Sequence, residues 1–129
     1  MTAPPSELVV EIVAASRDTV EGLAAYLTRA GVEVFASVHV DALVRAERDV
    51  DAAVVFPDEF DPLHAIKALA AIRRGRPDLL IIIITGAPQR YRPALELDAE
   101  SVAPIVMPRP AFGWSILDAL RAHAREGSR

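Results

Sequence analysis

Apolar residues recur along the chain in two alternating rhythms. Short runs rich in β-branched residues stand at 8 to 15 (LVVEIVAA), 32 to 38 (VEVFASV), 51 to 56 (DAAVVF), 79 to 85 (LLIIIIT) and 102 to 107 (VAPIVM), and each predicts a strand. Helical spacing fills the intervals. Asp18 and Glu21 have the separation of a capping box, with Val20, Leu23, Ala24 and Leu27 following on one stripe until Gly31. A short second helix is expected over 41 to 48. Leu63, Ile66, Leu69, Ala70 and Ile72 predict a third over 62 to 74, closed by Gly75 and Pro77. A weak fourth is expected over 91 to 99, where Pro93 fits only in a first turn. The fifth, over 112 to 125, carries Phe112, Ile116, Leu120 and His123 on one stripe.

The run of large aliphatics from Leu79 to Ile84 predicts a strand buried on both faces, as in the centre of a parallel sheet. Pro104, which has no N–H to donate, puts the fifth strand at an edge or bulge. Five strand–helix units imply right-handed crossovers and an α/β fold: a flavodoxin-like, doubly wound five-stranded parallel sheet, order 2-1-3-4-5, with helices on both faces. A functional site would then lie beyond the carboxyl ends of strands 1, 3, 4 and 5.

With 129 residues the chain is one domain, expected over 7 to 125, with frayed tails at 1 to 6 and 126 to 129; Gly127 and Ser128 are candidates for the start of a linker. The absence of cysteine excludes disulfides, thiolate metal sites and cysteine nucleophiles. A net charge of −4 disfavours a nucleic-acid surface. No apolar run is long enough for a membrane span, and the start, MTAPPSE, lacks the basic and apolar regions of a secretory signal, so a cytoplasmic location is expected. His39, His64 and His123 fall in three different segments without a metal-ligand spacing, and AASRDT after the first strand has no phosphate-binding glycines. Neither a metal nor a cofactor is expected.

Taken together, the pattern resembles the receiver domain of bacterial two-component response regulators, similar to the single-domain chemotaxis regulator, over residues 8 to 125. That resemblance implies two acids after strand 1 that hold magnesium and an aspartate ending strand 3 that accepts phosphate. It also implies a hydroxyl ending strand 4 and a lysine–proline pair after strand 5. Here the acid pair falls on Ala14 and Ala15 and the acceptor on Phe56, while Thr85 matches the hydroxyl position. Arg109 with Pro110 matches the lysine–proline pair, and the resemblance implies a cis peptide there. The aromatic switch position of strand 5 falls near Val106. Two methyl groups cannot ligate magnesium and a phenyl ring cannot form an acyl phosphate, so the expectation is a degenerate pseudo-receiver, not an enzyme.

Asp58, Glu59 and Asp61 follow Pro57 and have three readings: a displaced phosphoacceptor at Asp58, a solvated loop in which Asp61 caps the third helix, or an acidic contact for a basic partner. Thr85 is either a remnant of the switch or a strand-end residue that satisfies a turn. Arg109 can pair with an acid of the 58 to 61 loop and lock one conformation, or bind an anionic ligand. Trp114 lies off the stripe of the last helix, nearer Leu117 and Arg121, and is either an interface residue or satellite core. In the family resembled, the helix 4/strand 5/helix 5 face is the usual docking surface, which suggests Arg90, Tyr91, Val106, Trp114, Leu117 and Arg121 as a patch for protein partners, a homodimer included. The functional expectation is an interaction and signalling module independent of aspartyl phosphorylation. The alternative is a rebuilt pocket that binds a small anion or metabolite, or phosphorylation at Asp58.

Overall fold

The computed structural model describes residues 8–42, 49–95 and 102–127; the expected tail at 1 to 6, most of the second helix and the end of the fourth lie outside the described residues. Strands β1 (Val9–Val13), β2 (Glu33–Ser37), β3 (Ala52–Val55), β4 (Leu80–Ile84) and β5 (Ile105–Met107) form one sheet in the order β2-β1-β3-β4-β5. All pairs are parallel. Helices α1 (Arg17–Arg29), α2 (Pro62–Gly75), α3 (Pro88–Leu95) and α4 (Gly113–Gly127) cover it. The first two residues of the expected carboxyl-terminal tail are thus the last of α4. Every strand is shorter than the run that predicts it, although flanking residues such as Ala14, Phe56 and Thr85 still donate backbone bonds to the neighbouring strand. Pro104 stands just outside β5, on the sheet edge.

The two-residue period of the strands divides the interior in two. Val13, Ala53, Val55, Ile81 and Ile83 meet Leu69 and Ile72 of α2 and Tyr91 and Leu95 of α3. On the opposite face Val10, Ile12, Val54, Ile82 and Ile84 meet Leu23 and Leu27 of α1 and Ile116, Leu117 and Leu120 of α4. β4 is buried throughout, as the aliphatic run predicts.

Several expectations change. The cap of α1 is Ser16, whose side chain accepts from the Thr19 N–H, so Asp18 sits inside the first turn instead of capping it. Pro93 lies inside α3, because that helix starts at Pro88, earlier than the spacing predicts. The same early start aims Tyr91 and Leu95, four residues apart, at the sheet; Tyr91 is fully buried and is no surface residue. Leu117 is also core, since Ile116, Leu117 and Leu120 make a face wider than a single stripe. Phe112 is 59% exposed: it precedes the first turn of α4, so helical projection does not place it.

Candidate functional site

The parallel register brings the carboxyl ends of the central strands level. Val13 of β1 pairs with Val55 of β3, and Val55 with Ile83 of β4. One step further along lie Ala14, fully buried, and Phe56, whose N–H donates to the Val13 carbonyl. Ala15 is exposed. Phe56 shares the parity of Val54, and its ring packs on the α1/α4 side. There it lines a cleft of about 340 Å³ with Thr19, Leu23, Tyr26, Ala111 and Ile116. Neither Thr85 nor Arg109 lines that cleft.

The acidic loop closes the crown of the sheet instead. Pro57, buried and at the first position of a 3₁₀ turn (Pro57–Glu59), fixes the backbone direction directly after the strand. The two acids that follow point to different elements. Asp58 Oδ1 accepts from the Thr85 hydroxyl at 2.5 Å, and Oδ2 accepts from the Gly86 N–H at 2.8 Å. The Arg109 guanidinium approaches the same Oδ2 at 3.6 Å. Glu59 turns back to α1, where Oε1 accepts from the Ser16 N–H at 2.8 Å and Oε2 from the Thr19 hydroxyl at 3.1 Å. A three-residue turn therefore ties together the start of α1 and the ends of β4 and β5.

The local sequence explains each contact. In a capping box the acid at the third helical position bonds the N–H of the cap residue. Here that position is Thr19, and Glu59 supplies the missing carboxylate from another segment. Asp61 caps α2 ahead of Pro62, accepting from the His64 N–H at 3.0 Å, as the sequence predicts. The neighbouring expectation, that Asp58 and Glu59 are solvated, is corrected: both are partly buried and fully engaged. Their bonds form because Pro57 turns the chain over the strand ends rather than out into water.

Thr85 satisfies the turn that follows it and also meets Asp58. Its oxygen accepts from the Ala87 N–H at 2.9 Å, which satisfies the turn and directs the hydroxyl hydrogen to Asp58. The residue is fully buried, and its own N–H donates to the Met107 carbonyl. Burial works to raise the Asp58 pKa, but the Thr85 hydroxyl, the Gly86 N–H and Arg109 outweigh it and hold the carboxyl below its ordinary 3.8. Arg109 is about half exposed, and the peptide before Pro110 is cis.

The expected patch comes only partly together. Arg90 and Arg121 are exposed and Val106 is half-buried, whereas Tyr91 and Leu117 belong to the core. Trp114 is 58% exposed, and its ring stacks on Phe112 at 6.1 Å between centroids. A histidine–carboxylate pair that no sequence spacing announces joins His64 to Asp41 at 3.0 Å on the surface.

No protein-family model matches the sequence, and no curated protein matches it. Solved structures match its shape. A response regulator receiver protein from Sinorhizobium medicae superposes with a TM-score of 0.74 at 14% identity, covering 93% of this chain and 96% of that one. A chemotaxis protein from Vibrio cholerae gives 0.72 at 17% identity, with 91% and 98% covered. The receiver domain of a sensor histidine kinase from Pseudomonas aeruginosa, solved with magnesium coordinated in its active-site cleft, gives 0.69 at 18% identity, with 92% and 98% covered. The sheet order, the helices on both faces and these superpositions make the fold that of a response-regulator receiver domain.

Proposed function

We propose that the chain is a non-catalytic signalling module, a receiver fold that acts through protein–protein contacts without aspartyl phosphorylation. The observation that carries this reading is the filled crown of the sheet: the carboxylate of Asp58 occupies the donors Thr85, Gly86 and Arg109. Around it, the positions that would supply a nucleophile and two metal ligands are Phe56, Ala14 and Ala15.

Magnesium does not fit this arrangement. It seeks several oxygen donors free to face one point. Asp58 and Glu59 face opposite elements, and all four of their oxygens already accept from N–H, hydroxyl or guanidinium groups. Those donors present positive ends, which suit an anion. Among the described residues no group of three or more histidines or acids is placed to hold a metal ion.

The contact surface of the module is the side bearing Arg90, Val106, Trp114 and Arg121, extended by Phe112. Aromatic residues, here the exposed stacked pair Phe112 and Trp114, and arginine are the types enriched at interface centres. Among the described residues no helix is long and apolar enough to cross a membrane.

Incubation with magnesium and acetyl phosphate followed by intact-mass measurement at neutral pH tests the reading. No adduct is expected. A labile gain of about 80 Da, one phosphoryl group, overturns it, and mapping that gain to Asp58 establishes the alternative of a displaced acceptor.

A further inference from the structure

Beyond that reading, we propose that the cleft between α1 and α4, walled by Phe56, binds a small neutral molecule built on one or two aromatic rings. The cleft has a volume of about 340 Å³, within the size range of small-molecule sites, and none of the described residues that line it carries a charge. Phe56 and Tyr26 give it two aromatic rings, and Leu23 and Ile116, both core residues, close its inner side. One side-chain oxygen of α1 is placed to serve a ligand there. The Thr19 hydroxyl donates its hydrogen to Glu59 Oε2 at 3.1 Å, so its oxygen keeps lone pairs for a donor on the bound molecule.

Two glycines shape this space in opposite ways. Gly113 lets Tyr26 in: a Cβ there would lie 2.8 Å from the Tyr26 ring, so the ring rests directly on the backbone at the start of α4 and makes one wall. Gly22 keeps the other side open. It sits in the interior of α1, where glycine is among the least favourable residues for a helix, yet a Cβ on it would stand in open space. Local stability therefore favours alanine at this position, and the packing does not forbid it. What the missing side chain leaves is room beside Leu23, Tyr26 and Phe56. A flat ring in that room meets the faces or edges of Phe56 and Tyr26, the arrangements that aromatic pairs prefer. An ion would lose its hydration there without finding a counter-charge, which selects a neutral molecule. Gly113 also stands between Phe112 and Trp114, so the occupant lies against the segment that carries the exposed stacked pair.

The test titrates indole, neutral and bicyclic with one N–H to donate, into the full chain while the amide resonances of α1, Phe56 and α4 are followed. Saturable shifts are expected at Gly22, Leu23, Tyr26, Phe56 and Gly113, and cyclohexanol, a saturated ring bearing a hydroxyl, should bind more weakly. Gly22→Leu places a side chain in the open space. It should weaken indole binding by at least about tenfold, as expected when a ring is denied burial. The same variant should melt at or above the wild-type temperature, because leucine is a better helix former than glycine. The proposal is overturned by a titration without saturable shifts, by equal affinity of wild type and Gly22→Leu, or by a Gly22→Leu chain that melts below wild type, which would mean that the space is not open. Equal binding of cyclohexanol overturns the aromatic ligand class. Shifts at the same residues that follow protein concentration without indole overturn the proposal too, and assign the cleft to a second copy of the chain. Failure here is separable from failure of the proposed function: a phosphoryl adduct on the wild-type chain refutes that function, whereas a silent indole titration refutes only the cleft.

Discussion

Asp58→Ala has a size that can be worked from its contacts. The substitution removes the acceptor of two hydrogen bonds to an ionised group, each worth about 1.5–3 kcal/mol before water re-enters. The Arg109 pair, at 3.6 Å with the guanidinium half exposed, adds only about 0–1 kcal/mol. Gly86 is exposed and its N–H regains water, but Thr85 is fully buried and its hydroxyl does not. The net loss expected is about 2–4 kcal/mol, which lowers Tm by roughly 10 °C for a domain of this length. A double-mutant cycle with Thr85→Val should give a coupling of at least about 1 kcal/mol. The pH dependence has a fixed sign. Because the folded-state pKa of Asp58 lies below 3.8, its contribution is fully present above that value and is lost as pH falls through the lower folded value. Chemical denaturation of wild type and variant between pH 7 and pH 3 measures both quantities. A difference below about 0.5 kcal/mol at pH 7, or one that stays constant down to pH 3, would refute the reasoning.

Glu59→Ala frees the Ser16 N–H and the Thr19 hydroxyl, so it should cost about 1–2 kcal/mol and speed hydrogen exchange at the start of α1 more than in β4. Gly113→Ala would ordinarily favour a helix start over glycine, but its Cβ would lie 2.8 Å from the Tyr26 ring. A loss of about 1–3 kcal/mol is expected, relieved in Gly113→Ala/Tyr26→Ala, as urea denaturation would show. Trp114→Ala, at an exposed site, should change stability by no more than about 0.5 kcal/mol, while the native tryptophan fluorescence should be readily quenched by acrylamide.

What could be read from the chain followed local physics. Short runs rich in β-branched residues locate all five strands, and the unbroken run through β4 identifies a strand buried on both faces. Asp61 before Pro62 announced a cap, and the match of Arg109 and Pro110 to a known pattern anticipated the cis peptide. Long-range contacts were less accessible. An acid of the 58 to 61 loop is an expected partner for Arg109, but the bonds of Asp58 to Thr85 and Gly86 depend on where β3 and β4 end relative to each other. The partnership of Glu59 with α1 left one faint trace, a serine cap at Ser16 followed at Thr19 by no acid of its own. The Asp18–Glu21 spacing, which imitates a capping box two residues along, concealed it. Tyr91 reads as surface because α3 starts earlier than its spacing shows, and Leu117 because the buried face of α4 is wider than one stripe.

The filled crown is tested most directly by adding magnesium and beryllofluoride to the wild-type chain and following its amide resonances. Because Asp58 already occupies Thr85, Gly86 and Arg109, the amides of Phe56, Asp58 and Thr85 should show no saturable shift. Saturable, magnesium-dependent shifts at those residues would contradict the assignment and show a site that still accepts a phosphoryl mimic.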